Sequence, residues 1–419
     1  MSTNSFLFRG RRLAMSCVLI STLILATAAR ADNVALGSEY CDGKAQAATG
    51  EGSLSQSTVH SQLFAGAFSA NCPSESGLVS FLGTSDPAGI NSLLLRQRHF
   101  AGAEVPLTTT QKTQIESVPS RLSLVHQIPL YIEGLAIAYN VPCAPQQLKL
   151  RSSVLSAIYS GTITRWNDPL LQIDNPGIAS CALPIILTKR ETGAGTTVTF
   201  QDYLSKRNPQ WTPYRRGLML QPWPTLNFPC TGIGDNPGMV GCVADRVGAI
   251  GYLRMADAQA AGLPVAAVEN VTADFVTPSA QTCGAAAAAA VTPPGVNGEN
   301  VPPTFEGMPT RTPAWPATYG DWSSASMTDA PSTPATGSSY PICGFSFAFV
   351  LQSWQNGYGG SVSGFVTRSV VDYLTVALMP STQGQLPGFN LAPLPPNVRK
   401  ISQEGVRSIS LNNFTSLGF

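Results

Sequence analysis

Charge and histidine are both scarce in this chain. Of its 419 residues only 12% are charged and three are histidine. With 25 Lys+Arg against 24 Asp+Glu, the net charge of +1 excludes a basic nucleic-acid binder. His60, His99 and His126 are scattered, and no GxSxG, HExxH or SxxK pattern accompanies them. Each histidine therefore reads as a surface or packing residue rather than a catalytic base, and we expect no enzymatic activity. There is no CxxC pair and no histidine beside a cysteine pair, which argues against a zinc site. Long apolar runs are missing as well. The one candidate, residues 13–28, is short for a ~20-residue membrane span and is broken by Ser16, Ser21 and Thr22.

That stretch has a different reading. Arg9, Arg11 and Arg12 form a basic region before it, and Ala29-Arg30-Ala31 is a small-x-small cleavage site after it. Residues 1–31 read as a signal peptide, with a membrane anchor as the alternative. The protein would then be exported and soluble from Asp32 onward. The leader holds four arginines and no acid, so the remainder carries a net charge of −3. Export also changes how the cysteines read. Eight follow the leader, and in an oxidising compartment an even set suggests disulfides. Proximity along the chain favours Cys41–Cys72, Cys143–Cys181, Cys230–Cys242 and Cys283–Cys343.

What is present is apolar material in short runs. The 43% hydrophobic content excludes a disordered chain, and the length exceeds what one core usually serves, so two lobes are expected. Leu135–Tyr139 and Leu183–Leu187 read as buried strands, and Ser153–Tyr159 and Val198–Leu204 carry helix-spaced apolar residues. This alternation argues for an α/β architecture. Residues 291–340 are rich in Pro, Ser, Thr and Gly and read as an irregular surface insertion.

The most informative segment is Thr188-Lys-Arg190-Glu-Thr-Gly193-Ala194-Gly195-Thr196-Thr197. It joins an expected strand to an expected helix through a glycine turn. The first amides of a helix lack partners within it, and its dipole is positive there, so an anion is favoured. Gly193 and Gly195 would let backbone approach a ligand, Thr196 and Thr197 would cap or donate, and Arg190 would grip a tetrahedral oxyanion. Two further glycine turns precede amphipathic runs, one with Ser53 and Leu54, the other with Ser85. Each could be a plain helix cap, but several helix starts can converge on one anion. Glu104 adds a carboxylate in an apolar setting. A carboxylate accepts a hydrogen bond from a protonated phosphate and faces only lone pairs on sulfate.

Several of these segments together resemble the periplasmic phosphate-binding proteins of phosphate ABC importers, including their secreted DING-type relatives. The resemblance is carried by Ile128-Pro129 through Asn140, by Tyr159-Ser-Gly161 through Arg165-Trp166-Asn167-Asp168-Pro169, and by Asn175-Pro176-Gly177. The 188–204 segment, Gly234-Asp-Asn236-Pro-Gly238, Gly248-Ala-Ile-Gly251-Tyr252, Val276-Thr-Pro278-Ser279 and Tyr340-Pro341-Ile342 follow in order. It implies a type II periplasmic-binding-protein fold, with a hinge and an interlobe cleft holding inorganic phosphate. Lobe 1 would comprise 32–130 and 271–419, and lobe 2 would comprise 131–270. The phosphate ligands it implies are Ser53, Leu54, Ser85, Glu104, Arg190, Gly193, Ala194, Gly195 and Thr196. No cofactor or metal is implied. The protein would act as a monomer, with an inner-membrane ABC permease as partner. The chain departs from the family at three places. Thr192 stands where an acid is usual, Ala194 where a serine is usual, and Glu104 where an aspartate is usual. These changes leave open a secreted or surface interaction protein on the same scaffold, with altered or lost phosphate binding.

Overall fold

The computed structural model describes residues 41–410, apart from 146, 216–217, 225–233, 292, 294–317, 319–321, 323–324 and 361. The leader and Cys230 lie outside the described residues. Three of the expected disulfides are present, Cys41–Cys72, Cys143–Cys181 and Cys283–Cys343.

Ten strands are described: β1 (Ala48–Ser53), β2 (Val79–Thr84), β3 (Phe100–Ala103), β4 (Val125–Asn140), β5 (Lys149–Leu150), β6 (Ile186–Leu187), β7 (Ala249–Arg254), β8 (Ala267–Glu269), β9 (Phe275–Val276) and β10 (Cys343–Leu351). Seven form a sheet in the order β2-β1-β3-β10-β4-β7-β6, and β5, β8 and β9 form a second, small sheet. β1 runs parallel to β2 and β3. β10 returns antiparallel between β3 and β4.

β4 is the element that makes two lobes out of one chain. Its first part pairs with β10 through Gly134, and from Leu135 onward it pairs with β7. Fifteen of its sixteen residues are buried, as expected of a strand covered on both faces. Pro129 cannot donate to a ladder, and the register between β4 and β10 slips where Phe347 pairs with Pro129 and Ser346 with Tyr131.

Three helices position the site: α1 (Asp86–Leu94), α2 (Gly195–Arg207) and α3 (Asn236–Asp245). The first two belong to different lobes, because α1 follows β2 and α2 lies between β6 and β7.

Three expectations need correction. Gly50-Glu51-Gly52 is the end of β1 and Gly83-Thr84 the end of β2, so neither pair is a glycine turn. The glycines serve close packing instead, since a Cβ on Gly52 would lie 2.0 Å from the Gly102 carbonyl oxygen of β3. Only Ile186–Leu187 of the 183–187 run pairs as a strand. The described part of the 291–340 segment is not a surface insertion either. Trp322, Met327 and Tyr340 are buried, and Trp322 sits edge-on against Phe345 and Phe347 of β10. Proline-rich composition concealed these apolar anchors.

Candidate functional site

The C-terminal ends of parallel strands are where an open α/β sheet leaves room for a ligand. Here β1, β2 and β3 end side by side, and their next residues are Leu54, Ser85 and Glu104. Ser53 closes β1 and is buried. Ser85 is the N-cap of α1 and accepts from the Ala88 amide at 3.3 Å. α1 rides very close to β1: a Cβ on Gly89 would lie 2.4 Å from the Glu51 carbonyl oxygen.

The other lobe supplies Arg190 and the start of α2. The Arg190 amide donates to the Tyr252 hydroxyl at 3.0 Å, and that ring is stacked on Phe200, 4.7 Å between centroids. The guanidinium donates through Nη1 to Asn236 Oδ1, at the start of α3, and through Nη2 to the Gly234 carbonyl at 2.9 Å. Its Nε is buried and has no hydrogen-bond partner. Thr192, in place of the usual acid, donates to the same Gly234 carbonyl at 2.7 Å and so braces the loop without a charge.

These pieces meet. Ser53, Leu54, Ser85, Glu104, Arg190, Gly193 and Ala194 all line one cavity between the lobes, together with Asp86 and Asn236. The cavity is small, with about the room of one water. Gly195 and Thr196 begin α2 behind the cavity wall, with Ala194 as the N-cap. Neither Thr196 nor Thr197 caps the helix: Thr197 pairs with the Tyr252 hydroxyl at 2.9 Å, and the Thr196 hydroxyl is buried and unpartnered.

Two carboxylates, not one, face the start of α2. Asp86 accepts from the Gly195 amide at 2.6 Å and from the Glu104 amide at 3.2 Å. Glu104 accepts from the Thr196 amide at 2.9 Å and from the Ser53 hydroxyl at 3.0 Å. Each acid thus ties one lobe to the other, using amides that would otherwise be orphaned and lie at the positive end of a helix dipole. Glu104 is buried and is not a solvated loop acid. Burial pushes both carboxyls above their ordinary range, and the like charge of Asp86 pushes Glu104 further. For Glu104 the Arg254 and Arg190 charges and the Ser53 hydrogen bond pull the other way, and for Asp86 its hydrogen-bond donors and Arg190 do so.

Asp86 and Asn236 were not among the expected site residues. Ser85-Asp86-Pro87 has the form of an ordinary helix start, and in it Asp86 also reads as a dipole partner. Asn236 lay within the Gly-Asp-Asn-Pro-Gly segment, but nothing in the sequence ties it to Arg190. Among the described residues no cluster of three His, Cys, Asp or Glu side chains is arranged to hold a metal.

Two α/β lobes that share a through-going strand, and close on a small cavity with a buried guanidinium and a helix start, define a solute-binding protein. A family model described as the PBP superfamily domain matches residues 36–320. A phosphate-binding protein PstS from Methanocaldococcus jannaschii is 32% identical over 292 residues, 68% of this chain and 67% of that protein. A protein of the same name from Xylella fastidiosa is 29% identical over 213 residues, 50% of this chain and 54% of its own length. The solved structure of PfluDING, described as a high-affinity periplasmic phosphate-binding protein bound with phosphate at pH 8.5, matches with a TM-score of 0.60 at 19% identity. It covers 85% of this chain and 92% of that one, and at such identity it speaks for the fold. The chain belongs to the PBP superfamily and, within it, to the phosphate-binding proteins PstS. No helix among the described residues is long and apolar enough to cross a membrane.

Proposed function

We propose that this protein captures inorganic phosphate in the cavity between its lobes and delivers it to an ABC importer outside the cytoplasm. The observation that carries the reading is convergence. Residues 53–54, 85–86, 104, 190 and 193–194 are far apart in the chain and line one cavity. Arg190 brings a buried guanidinium with a free Nε donor, and the Thr196 hydroxyl is a second buried group without a partner. A buried guanidinium N–H without a partner favours an oxyanion.

In the complex, Arg190 would grip two phosphate oxygens. The amides of Leu54, Gly193, Ala194, Gly195 and Thr196 and the hydroxyls of Ser53, Ser85 and Thr196 would take the others. Glu104 would accept the proton that distinguishes phosphate from sulfate. Ala194 keeps its amide but has no hydroxyl to offer. The relatives are described as phosphate-binding proteins, and we assign binding rather than hydrolysis. A phosphatase assay is expected to stay at background.

One observation favours a second reading, a scaffold whose phosphate binding is weakened or lost. Two amides and a hydroxyl that would serve the anion are already engaged by Glu104 and Asp86. Native mass spectrometry of the purified protein separates the two. Bound phosphate, lost on denaturation, supports capture. A protein that never carries phosphate, even after incubation with it, supports the alternative.

A further inference from the structure

We propose that Asp86 is a second specificity-determining residue of this site, and that Asp86 and Glu104 admit an oxyanion only together with a proton taken up from solution. The inference rests on the phosphate reading above and goes beyond it, since one acceptor for the ligand's proton is all that reading requires.

The geometry sets the conditions. Each carboxylate accepts one of the first two amides of α2, Gly195 for Asp86 and Thr196 for Glu104. An incoming anion competes for those amides and meets two carboxyl groups at the cavity wall. The charges around them do not compensate. Arg190 is the cation on the lobe-2 loop. The other nearby cation, Arg254 at the end of β7, is ion-paired with Glu133 of β4 and lies 3.5 Å from Asp257. Glu133 adds a further negative charge toward Glu104, and Tyr131 is a neutral neighbour on the same strand. With both acids ionised, Arg190 is the cation acting on Asp86, and the Arg254 charge that reaches Glu104 is shared with Glu133 and Asp257.

A protonated carboxyl changes sign in this balance. It keeps its carbonyl oxygen as an acceptor and gains an O–H that can donate to an anion oxygen. The ionised pair repels any oxyanion, whereas one proton on the pair turns one acid into a donor and leaves the other to accept the ligand's own proton. Burial already raises the proton affinity of both acids, and the charge of Asp86 raises that of Glu104 further. Phosphate can bring a proton with it, and sulfate cannot.

Titration calorimetry of the full exported chain tests this with two probes, inorganic phosphate and sulfate, in buffers of different ionisation enthalpy. For phosphate at pH 7.5, the expected result is net uptake of a proton beyond the ligand's own. Affinity should tighten about tenfold per pH unit between 8 and 6. Sulfate carries no proton over that range, so any gain it shows at low pH comes from the protein. It should be silent at pH 8 and detectable at pH 5.5. Asp86→Asn should bind phosphate at least tenfold tighter than wild type at pH 8 and lose most of the pH dependence. Glu104→Gln, read alongside thermal melting, should move in the same direction if Asp86→Asn folds poorly. Phosphate binding with no proton uptake and a pH-independent affinity overturns the inference and leaves phosphate capture standing. No phosphate binding at any pH overturns both.

Discussion

Arg190 is the residue on which recognition depends most. Its guanidinium is held on one side by Asn236 and the Gly234 carbonyl, while Nε remains without a partner in a buried setting. Hydrogen bonds to a charged group contribute about 1.5–3 kcal/mol each, so losing two weakens binding by roughly 10²–10⁴-fold. Arg190→Ala should therefore abolish measurable phosphate binding in a calorimetric titration, and unchanged affinity would remove Arg190 from the site. Much of this residue set was legible in the sequence, because a strand, a glycine turn and a helix start put Arg190, Gly195 and Thr196 in a recognisable order. Asp86 was not legible. Its role depends on a neighbour 109 positions away, the Gly195 amide, and no local pattern encodes that meeting. Glu104 lines the cavity, but its present partners, Ser53 and Thr196, are groups expected to serve the ligand.

At the scale of elements, the fit of α1 on β1 sets where Ser85 and Asp86 sit. Gly89 allows that approach, with Glu51 and Gly52 backbone atoms 2.4 and 2.5 Å from where a Cβ would be. These are backbone atoms and cannot swing aside. Gly89→Ala should cost about 1–3 kcal/mol in denaturant unfolding and weaken phosphate binding, because the helix start must shift. Gly66→Ala is the control. It lies in the helix Ala65–Asn71, nothing stands within 4 Å of its Cβ position, and it should be neutral or stabilising. If both substitutions behave alike, α1 does not position the site in this way. Strands and helices with clear periodicity, such as 135–139 and 198–204, were readable in advance. The 322–340 stretch was not, because its turns follow proline and glycine while its few apolar anchors, Trp322 above all, dock on a strand that arrives later in the chain.

The whole molecule hangs on β4, which pairs with β10 in one lobe and with β7 in the other. The core contains ionisable groups with no part in the site, and they give the stability a pH signature. His60 is stacked 4.1 Å from Phe81, bonded to the Tyr373 hydroxyl at 2.8 Å, and pushed down to about 3 by burial. Its folded-state pKa lies below the unfolded one. Its contribution is therefore present above pH 6.5 and declines as pH falls toward 3, by about 1.4 kcal/mol per pH unit. His126 is likewise pushed down to about 3. His60→Gln should be less stable than wild type at pH 7.5, and the gap should narrow by that amount per unit between pH 6 and 4.5 in chemical denaturation. A constant gap would mean that the histidine is charged in the fold. The most direct measurement of the central claim is the titration of the full exported chain with inorganic phosphate at pH 6. One phosphate should bind per chain, saturably, and Arg190→Ala should abolish it. Absence of binding, or binding that survives that substitution, would contradict the claim.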